Sequence, residues 1–308
     1  MGDVLDLVIV GSGPAGLCGA IYAQRARLDA VVLEQNYISG GQVVNTYEVD
    51  NYPGLPGVSG MELSNQFRAH AEKLGTKFVQ AIVKKIETGE GCLWKIITDK
   101  GEYLTKSVIL AAGAVHSKLG VAGEEELAGM GVSYCATCDG AFFKNRVTAV
   151  VGGGDVAVED AIFLARGCKK VYVVHRRDEL RAAKSLQEKL LSLDNVEMVW
   201  NSIVEAIEGD DMVSGIRIKD KVSGDESVIP VDGVFIAVGI QPNVEYFQNL
   251  VDMDERGYII AGEDGVTSQP GIFAAGDIRT KGLRQIITAA SDGANAVTSV
   301  QNYLVSHF

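Results

Sequence analysis

The stretch Asp6-Leu-Val-Ile-Val-Gly-Ser-Gly-Pro-Ala-Gly16 decides the fold. Its apolar run reads as a buried strand, and Gly11, Gly13 and Gly16 form a G-x-G-x-x-G turn that opens an Ala-rich helical stretch. This strand-turn-helix context is the one in which a dinucleotide's pyrophosphate meets backbone N–H groups at a helix start. A second apolar run, Ala30–Glu34, follows the helix. The sequence therefore predicts a Rossmann-like unit at the start of the chain.

The same plan recurs in the middle of the chain. An apolar strand, Val147–Val151, leads into Gly152-Gly-Gly154-Asp-Val-Ala157, a helical stretch to about Arg166 and a strand over Val171–His175. One glycine motif is weak evidence because turns use glycine freely, but two copies in the same context are much stronger. We predict an α/β protein with two Rossmann-like dinucleotide-binding domains.

The residue at the end of the second strand of each unit indicates which nucleotide that unit binds. Glu34 and His175 each lie 23 residues after the first glycine of their motif. A carboxylate at this position accepts hydrogen bonds from a ribose 2'-OH and repels a 2'-phosphate. Glu34 therefore suits the unphosphorylated adenosine ribose of FAD.

At the second site basic residues replace the carboxylate. His175, Arg176 and Arg177 stand there, with Arg181 four residues on. Arginine binds phosphate through charge-assisted, often bidentate hydrogen bonds, so we predict a preference for NADPH over NADH. A solvated basic turn is the alternative, and the adjacent acidic pair at 178–179 would weaken phosphate binding unless it points away.

A segment near the C-terminal end of the sequence predicts that one domain is inserted into the other. Gly271–Asp277 reads as a strand and turn, and it resembles the second FAD-contacting motif of two-dinucleotide flavoproteins. The FAD-binding domain would then be discontinuous, over 1–115 and 243–308. Residues 116–242 would form the inserted NADPH-binding domain, which carries the dithiol. Gly113 and Gly239, each just after an apolar strand, mark the two crossings.

Cys135 and Cys138 form the only close pair among five cysteines. A C-x-x-C can be a redox pair or half of a zinc site, and the second half of a zinc site is not evident in the sequence. As a redox pair it forms a reducible disulfide whose thiolates are nucleophiles. Asp139 follows directly, where a carboxyl group could exchange a proton with the departing thiolate, although it also suits a turn before Gly140.

Composition narrows the remaining classes. The 308 residues carry a net charge of -12, which disfavours nucleic acid and anionic membrane surfaces as partners. The odd, scattered cysteines are not a secreted disulfide framework. We find no signal-peptide pattern and no apolar run near the ~18 residues of a membrane span, so we expect a cytoplasmic protein.

In order along the chain, these motifs resemble low-molecular-weight bacterial thioredoxin reductase over almost the full length. The match also includes Gly40-Gly-Gln42, Cys135-Ala-Thr-Cys-Asp139 and Arg284–Ala290. The resemblance implies a homodimer with one FAD per subunit and thioredoxin as partner. It implies FAD contacts from Gly11, Gly13, Pro14, Ala15, Gly16, Glu34, Gly40, Gly41, Gln42, Asn51, Gly276, Asp277, Arg284, Gln285 and Ile286. NADPH contacts would come from Gly152, Gly154, Asp155, His175, Arg176, Arg177 and Arg181.

The resemblance also implies a mechanism. Cys138 would face the flavin and Cys135 would attack thioredoxin, with Asp139 as acid or base. Because the dithiol and the NADPH motif share one inserted segment, we predict that this segment rotates about the crossings between half-reactions. Asp155 departs from the small or amide residue of many relatives, and a carboxylate beside the pyrophosphate would weaken binding slightly. Ile286 replaces a familiar alanine without a change of polarity.

Four other functions stay open at this level. A flavin-dependent dithiol oxidase or a ferredoxin-fed thioredoxin reductase would lack the arginine motif. A peroxiredoxin reductase would more often use NADH. A non-enzymatic FAD redox sensor would need an effector surface and would not need its cysteines for NADPH oxidation.

Overall fold

The computed structural model describes residues 4–46, 48–49 and 51–308 and divides the chain into two compact units. Unit 1 comprises Met1–Val115 and Gln241–Phe308, and unit 2 comprises His116–Ile240. The strands are β1 Leu5–Val10, β2 Ala30–Glu34, β3 Lys77–Gln80, β4 Val83–Thr88, β5 Trp94–Thr98, β6 Gly101–Leu110, β7 Ala114–His116, β8 Val132–Ser133, β9 Val147–Gly152, β10 Lys170–Val174, β11 Val196–Val199, β12 Ser202–Gly209, β13 Val213–Asp220, β14 Glu226–Pro230, β15 Gly233–Ala237, β16 Ile240–Pro242 and β17 Ile272–Ala274.

The helices complete the two units. They are α1 Pro14–Arg25, α2 Gly60–Lys73, α3 Ala136–Asp139, α4 Asp155–Ala165, α5 Lys184–Leu191 and α6 Ile286–His307, with 3-10 turns at Gly41–Asn45, Gly140–Phe143 and Glu245–Phe247. The segments predicted as strands and helices from the two glycine motifs are confirmed to within about one residue at each end.

Unit 1 is built on a parallel sheet in the order β3-β2-β1-β6, and β17 pairs with the second half of β6. The first half of β6 instead pairs antiparallel with β5, which pairs with β4. Residues of β1 alternate between two cores: Leu7 and Ile9 pack on the α1 and α6 side, and Val8 and Val10 pack on the other. Burial on both faces explains why the strand is a continuous apolar run.

Unit 2 repeats this arrangement. Its parallel sheet has the order β11-β10-β9-β15-β8, and α4 covers one face. A separate antiparallel sheet, β12-β13-β14, packs on the other face through Val204, Ile216 and Ile218. The α/β fold with Rossmann-like parallel sheets is therefore confirmed. The crossing segments β7 and β16 pair with each other as a short two-stranded sheet.

The first glycine of each motif occupies the same place in its unit. Gly11 has φ +103°, and a Cβ there would lie 2.5 Å from the carbonyl oxygen of Ala111. Gly152 has φ +155°, and a Cβ there would lie 2.4 Å from the carbonyl oxygen of Ala237. A side chain at either position would strike the neighbouring central strand, so the turn at the carboxyl end of the sheet requires glycine.

Candidate functional site

The glycine loop of unit 1 leaves an open cradle at the start of α1. The helix begins at Pro14 with Gly13 as its N-cap, and no side chain caps it. A Cβ on Gly13 would meet nothing within 4 Å, whereas one on Gly16 would lie 2.0 Å from the carbonyl oxygen of Gly11. Gly16 therefore lets α1 approach the strand, and Gly13 and Ala15 lie where uncapped N–H groups can receive a pyrophosphate.

Glu34 lies beside this loop at the end of β2. Its Oε2 accepts hydrogen bonds from the backbone N–H of Ser12 at 2.8 Å and from the Ser12 hydroxyl at 2.7 Å. Its Oε1 accepts from the backbone N–H of Asn36 at 2.9 Å. An ionised carboxylate has about four acceptor positions, so Glu34 is held in place and can still accept from ribose hydroxyls.

The other predicted FAD residues of unit 1 lie on two segments. Gly40 has φ +122°, donates its N–H to Ser12 at 2.8 Å and leads through Gly41 into a short 3-10 turn. The side-chain amide of Gln42 donates to the carbonyl of Ala114. Asn51 donates from Nδ2 to Oε1 of Gln285 at 2.9 Å, and Gln285 caps α6, which begins at Ile286.

Asp277 and Arg284 carry polar atoms with no hydrogen-bond partner in the described chain. These buried atoms are Oδ1 of Asp277 and Nε of Arg284. Burial raises the pKa of Asp277, although Lys281 and Arg284 oppose this shift. Unpaired buried polar groups are costly, so an arrangement like this indicates a missing polar ligand. Together with the open glycine cradle, it fits the hydroxyl-rich chain and pyrophosphate of FAD.

A buried ion cluster holds the turn that carries Asp277. Asp292 on α6 is 4% exposed and accepts from the N–H of Gly276 at 2.9 Å. Its carboxylate also accepts from Arg279 at 2.6 and 2.9 Å and from Lys281 at 2.9 Å. Sequence reasoning missed this cluster, because nothing in the spacing shows that the turn and α6 pack together.

The glycine loop of unit 2 is tied to the arginine segment. The N–H of Arg181 donates to the carbonyl of Gly153 at 2.8 Å, and a Cβ on Gly154 would meet nothing within 4 Å. Asp155 begins α4, and its Oδ1 accepts from the N–H of Ala183 at 2.8 Å. The carboxylate therefore attaches the start of α4 to the chain just after Arg181.

Arg176, Arg177 and Arg181 line one cleft of about 530 Å³. Lys184 and Asn201 line it too, and sequence reasoning missed both; the only available signal was a further cation three residues after Arg181. The acidic pair at 178–179 lines the same cleft. The excess of cations still favours a phosphate group.

His175 lies beneath the loop and not in the cleft. It is 4% exposed, and a Cβ added to Gly153 would fall 2.2 Å from its ring. The ring also meets Trp200 edge to face, at 6.4 Å between centroids. Burial lowers the pKa of His175, which indicates a neutral ring that supports the glycine loop from behind.

Cys135 and Cys138 are joined by a disulfide, with 5.3 Å between their Cα atoms. It spans the first turn of α3, and Cys135 lies two residues after the end of β8. Among the described residues we find no group of three or more His, Cys, Asp or Glu able to hold a metal ion. The free cysteines of this part of the chain are Cys18, Cys92 and Cys168.

Asp139 closes the same turn. Its Oδ2 accepts from the hydroxyl of Ser133 at 2.6 Å, while Oδ1 is buried with no hydrogen-bond partner among the described residues. Burial raises the pKa of Asp139 above its ordinary value, although the Ser133 hydrogen bond opposes the shift. A carboxyl group whose pKa moves toward neutrality is suited to exchange a proton with a thiol.

Over the residues that the structure describes, no helix is long and apolar enough to cross a membrane.

Comparison with known proteins places the chain in a family. A thioredoxin reductase of Listeria monocytogenes is 48% identical over 98% of this chain and 94% of that protein, and one of Bacillus subtilis is 46% identical over 98% and 95%. The crystal structure of a thioredoxin reductase from Streptococcus pyogenes superposes with a TM-score of 0.93 at 45% identity, covering 98% of this chain and 99% of that one.

The family pattern described as pyridine nucleotide-disulphide oxidoreductase matches residues 5–293. That range includes both glycine loops, the disulfide and the Asp277 turn. The chain belongs to the pyridine nucleotide-disulphide oxidoreductase family.

Proposed function

We propose that the protein is an NADPH-dependent thioredoxin-disulfide reductase. Two electrons pass from NADPH through FAD to the Cys135–Cys138 disulfide and then to the disulfide of thioredoxin. The observation that carries this proposal is a disulfide next to a half-buried carboxyl group, in the same unit as a basic cleft beside a glycine loop. Relatives at 46–48% identity over 98% of this chain are named thioredoxin reductases, which supports the same activity.

Each cofactor has a set of residues that would hold it. When bound, FAD supplies the two-electron relay between NADPH and the disulfide. Its pyrophosphate would lie on the loop Gly11–Gly16, its adenosine ribose at Glu34 and its polar chain at Asp277 and Arg284. The 2'-phosphate of NADPH would lie in the cleft of Arg176, Arg177 and Arg181, with the pyrophosphate on the loop Gly152–Gly154.

The thiols complete the reaction. Two-electron reduction cleaves the Cys135–Cys138 bond, and Asp139 gives its proton to one of the two resulting thiolates. The Cys135 thiolate then attacks one sulfur of the thioredoxin disulfide and releases the other as a thiolate. Cys138 then returns the proton to Asp139 and attacks the Cys135 sulfur of the mixed disulfide; the thioredoxin sulfur leaves as a thiolate, which restores the Cys135–Cys138 bond and leaves thioredoxin reduced.

Three further features belong to this proposal. Unit 2 rotates about Gly113 and Gly239, so that the dithiol and the nicotinamide of NADPH would reach the flavin alternately. Both glycines have positive φ, +68° and +134°. The protein works as a homodimer, as the resemblance implies, and sedimentation of the FAD-loaded protein tests this. It works in the cytoplasm, where free thiols such as Cys18 and Cys168 stay reduced.

An NADPH oxidation assay tests the function. Purified FAD-loaded protein is mixed with NADPH, thioredoxin and a disulfide dye as the final acceptor, with and without oxygen. We expect NADPH consumption that depends on thioredoxin and is unaffected by oxygen. Oxygen-dependent consumption without thioredoxin would contradict the proposal and indicate a dithiol oxidase.

A second experiment tests the rotation of unit 2. A disulfide cross-link between one cysteine engineered into each unit should stop turnover, and full turnover in the cross-linked protein would rule rotation out.

A further inference from the structure

The hydroxyl of Ser133 joins the two chemical groups of the redox turn. It donates to Oδ2 of Asp139 at 2.6 Å and accepts from the backbone N–H of Cys135 at 3.0 Å. The carbonyl oxygen of Cys135 lies farther from the hydroxyl, at 3.4 Å. Because a hydroxyl has one proton, the short contact to the carboxylate takes it, and a lone pair serves the Cys135 N–H.

We propose that Ser133 is a positioning residue for thiol-disulfide exchange, whose hydroxyl holds the Asp139 carboxyl group and the Cys135 backbone in one fixed arrangement. The inference rests on the proposed function, because it concerns the proton that Asp139 exchanges with the dithiol. Ser133 itself touches neither sulfur in the described contacts.

The location of Ser133 makes it a firm reference point. It is 5% exposed, and it ends β8, where it pairs with Phe235 of β15 in the parallel sheet. The serine therefore ties a short four-residue helix to the sheet of unit 2. Without this tie, Asp139 would be placed by the backbone of α3 alone.

The hydrogen bond also gives the two carboxylate oxygens of Asp139 different surroundings. Oδ2 is anchored by Ser133, while Oδ1 is buried and has no hydrogen-bond partner among the described residues. A carboxyl group anchored through one oxygen keeps the other for proton exchange. The anchor stabilises the ionised form, because a hydroxyl donates more strongly to a carboxylate than to a neutral acid.

A simpler reading is a local serine turn, in which the hydroxyl only accepts from the N–H two residues on. That turn would need no bond to Asp139. The two readings differ in one consequence. Loss of the hydroxyl shifts the titration of Asp139 if Ser133 anchors the carboxyl group, and it leaves that titration unchanged if Ser133 only shapes the turn.

Apart from the Cys135 and Cys138 thiols of the reduced form, few ionisable groups surround Asp139. The remaining residues of β8, α3 and the 3-10 turn Gly140–Phe143 are uncharged, and the hydroxyl of the preceding Tyr134 donates to Glu124 at 2.8 Å. On α4, which packs against α3, the charged residues are Asp155, Glu159 and Asp160. Phe163 and Leu164 of α4 lie close to Gly140, and Asp160 is one turn before them.

The test is the pH profile of kcat for thioredoxin-dependent NADPH oxidation by the FAD-loaded protein. In Ser133→Ala we expect the limb that depends on Asp139 to move upward by about one pH unit, the size expected from one hydrogen bond to a charged group. Ser133→Thr keeps the hydroxyl and should keep the wild-type profile. In the Asp139→Asn background, Ser133→Ala should cause no further shift.

Two control variants separate this effect from others. Ser202→Ala removes another buried hydroxyl of unit 2, one that donates to Trp200 at 2.8 Å, and should leave the profile in place. Asp160→Asn removes the acid of α4 whose pKa burial raises to about 7, and the Ser133→Ala shift should persist in that background.

Several results would overturn the inference while leaving the reductase function intact. One is an unshifted profile in an active Ser133→Ala protein. Another is a shift of equal size in Ser133→Thr, and a third is a shift that survives in the Asp139→Asn background. Absence of thioredoxin-dependent oxidation in the wild-type protein would instead contradict the proposed function itself.

Discussion

The carboxylate of Asp155 accepts a hydrogen bond from the backbone N–H of Ala183 at 2.8 Å. From the sequence, a carboxylate beside the pyrophosphate was expected to weaken nucleotide binding slightly. In the structure it is engaged with the segment that carries Arg176, Arg177 and Arg181, which is also held by Gly153. We therefore infer that Asp155 orders the basic segment.

Asp155→Ala should consequently raise the KM for NADPH several-fold with little change in kcat, because the arginine segment loses an attachment. Asp155→Asn keeps an acceptor at this position and is the matched control. Steady-state kinetics with NADPH as the varied substrate provide the measurement. A lower KM in Asp155→Ala would show that repulsion of the pyrophosphate outweighs the attachment.

Arginine substitutions test the choice between nucleotides. Arg177→Ala should raise the KM for NADPH about 10- to 100-fold, the loss expected when a phosphate loses a charge-assisted hydrogen bond. The KM for NADH should change little, because NADH lacks the 2'-phosphate. Arg217→Ala, which removes an exposed arginine paired with Glu208, is the control. Equal effects on NADPH and NADH would contradict the assignment of this cleft to the 2'-phosphate.

The buried cluster around Asp292 predicts a stability effect. Asp292→Asn leaves Arg279 and Lys281 buried without their counter-charge, which should lower the free energy of unfolding by about 3–5 kcal/mol. Urea denaturation of the FAD-loaded and FAD-free proteins measures this. FAD should also dissociate more readily, because the turn that carries Asp277 loses the ion pairs between Asp292 and the two cations. Glu102→Gln, at an exposed pair with Lys95, should have little effect. Unchanged stability in Asp292→Asn would refute this role.

Asp292 also sets a dependence on pH. Burial alone would raise its pKa, but hydrogen bonds from Arg279 and Lys281 outweigh burial and hold the pKa below its ordinary value. A carboxyl group with a lowered pKa contributes stability above its unfolded pKa, and this contribution is lost as the pH falls through the folded pKa. The difference in stability between wild type and Asp292→Asn should therefore shrink in acid.

Asp160 predicts the opposite trend. Burial, together with the charge of Glu159, raises the pKa of Asp160 to about 7 from an ordinary value of 3.8. Its contribution is favourable below the unfolded pKa and is lost as the pH rises through 7. At pH 8, Asp160→Asn should therefore be more stable than wild type by about 1–2 kcal/mol, with the gain vanishing toward pH 4. Thermal unfolding across this range measures it, and a gain independent of pH would contradict the assignment.

The fold could be predicted largely from the sequence, because both glycine motifs are local. Apolar strand, turn and helix follow one another within about 20 residues, and one glycine is required by the turn itself, because a Cβ on Gly16 would lie 2.0 Å from the carbonyl oxygen of Gly11. The antiparallel strands β4 and β5 were not predicted. β5 pairs with the first half of β6 and β4 pairs with β5, while the second half of β6 pairs with β1 in the parallel sheet. Tertiary packing decides that the two halves of β6 have different partner strands.

Individual side chains were harder to predict than their positions along the chain. Glu34 and His175 hold equivalent offsets, yet Glu34 reaches the glycine loop while the His175 ring is buried beneath Gly153. Offset fixes the place on the strand but not the direction in which the side chain packs. The anchoring of Asp139 by Ser133 was also missed, because it depends on how α3 folds back onto the end of β8.

Electron flow through the Cys135–Cys138 pair is the central claim, and one measurement tests it most directly. Thioredoxin-dependent NADPH oxidation is compared, without oxygen, between the FAD-loaded wild type and Cys138→Ser, with Cys168→Ser as the control for loss of an unrelated buried thiol. We predict that Cys138→Ser falls to the rate without enzyme while Cys168→Ser retains the wild-type rate. Wild-type turnover by Cys138→Ser would contradict this account.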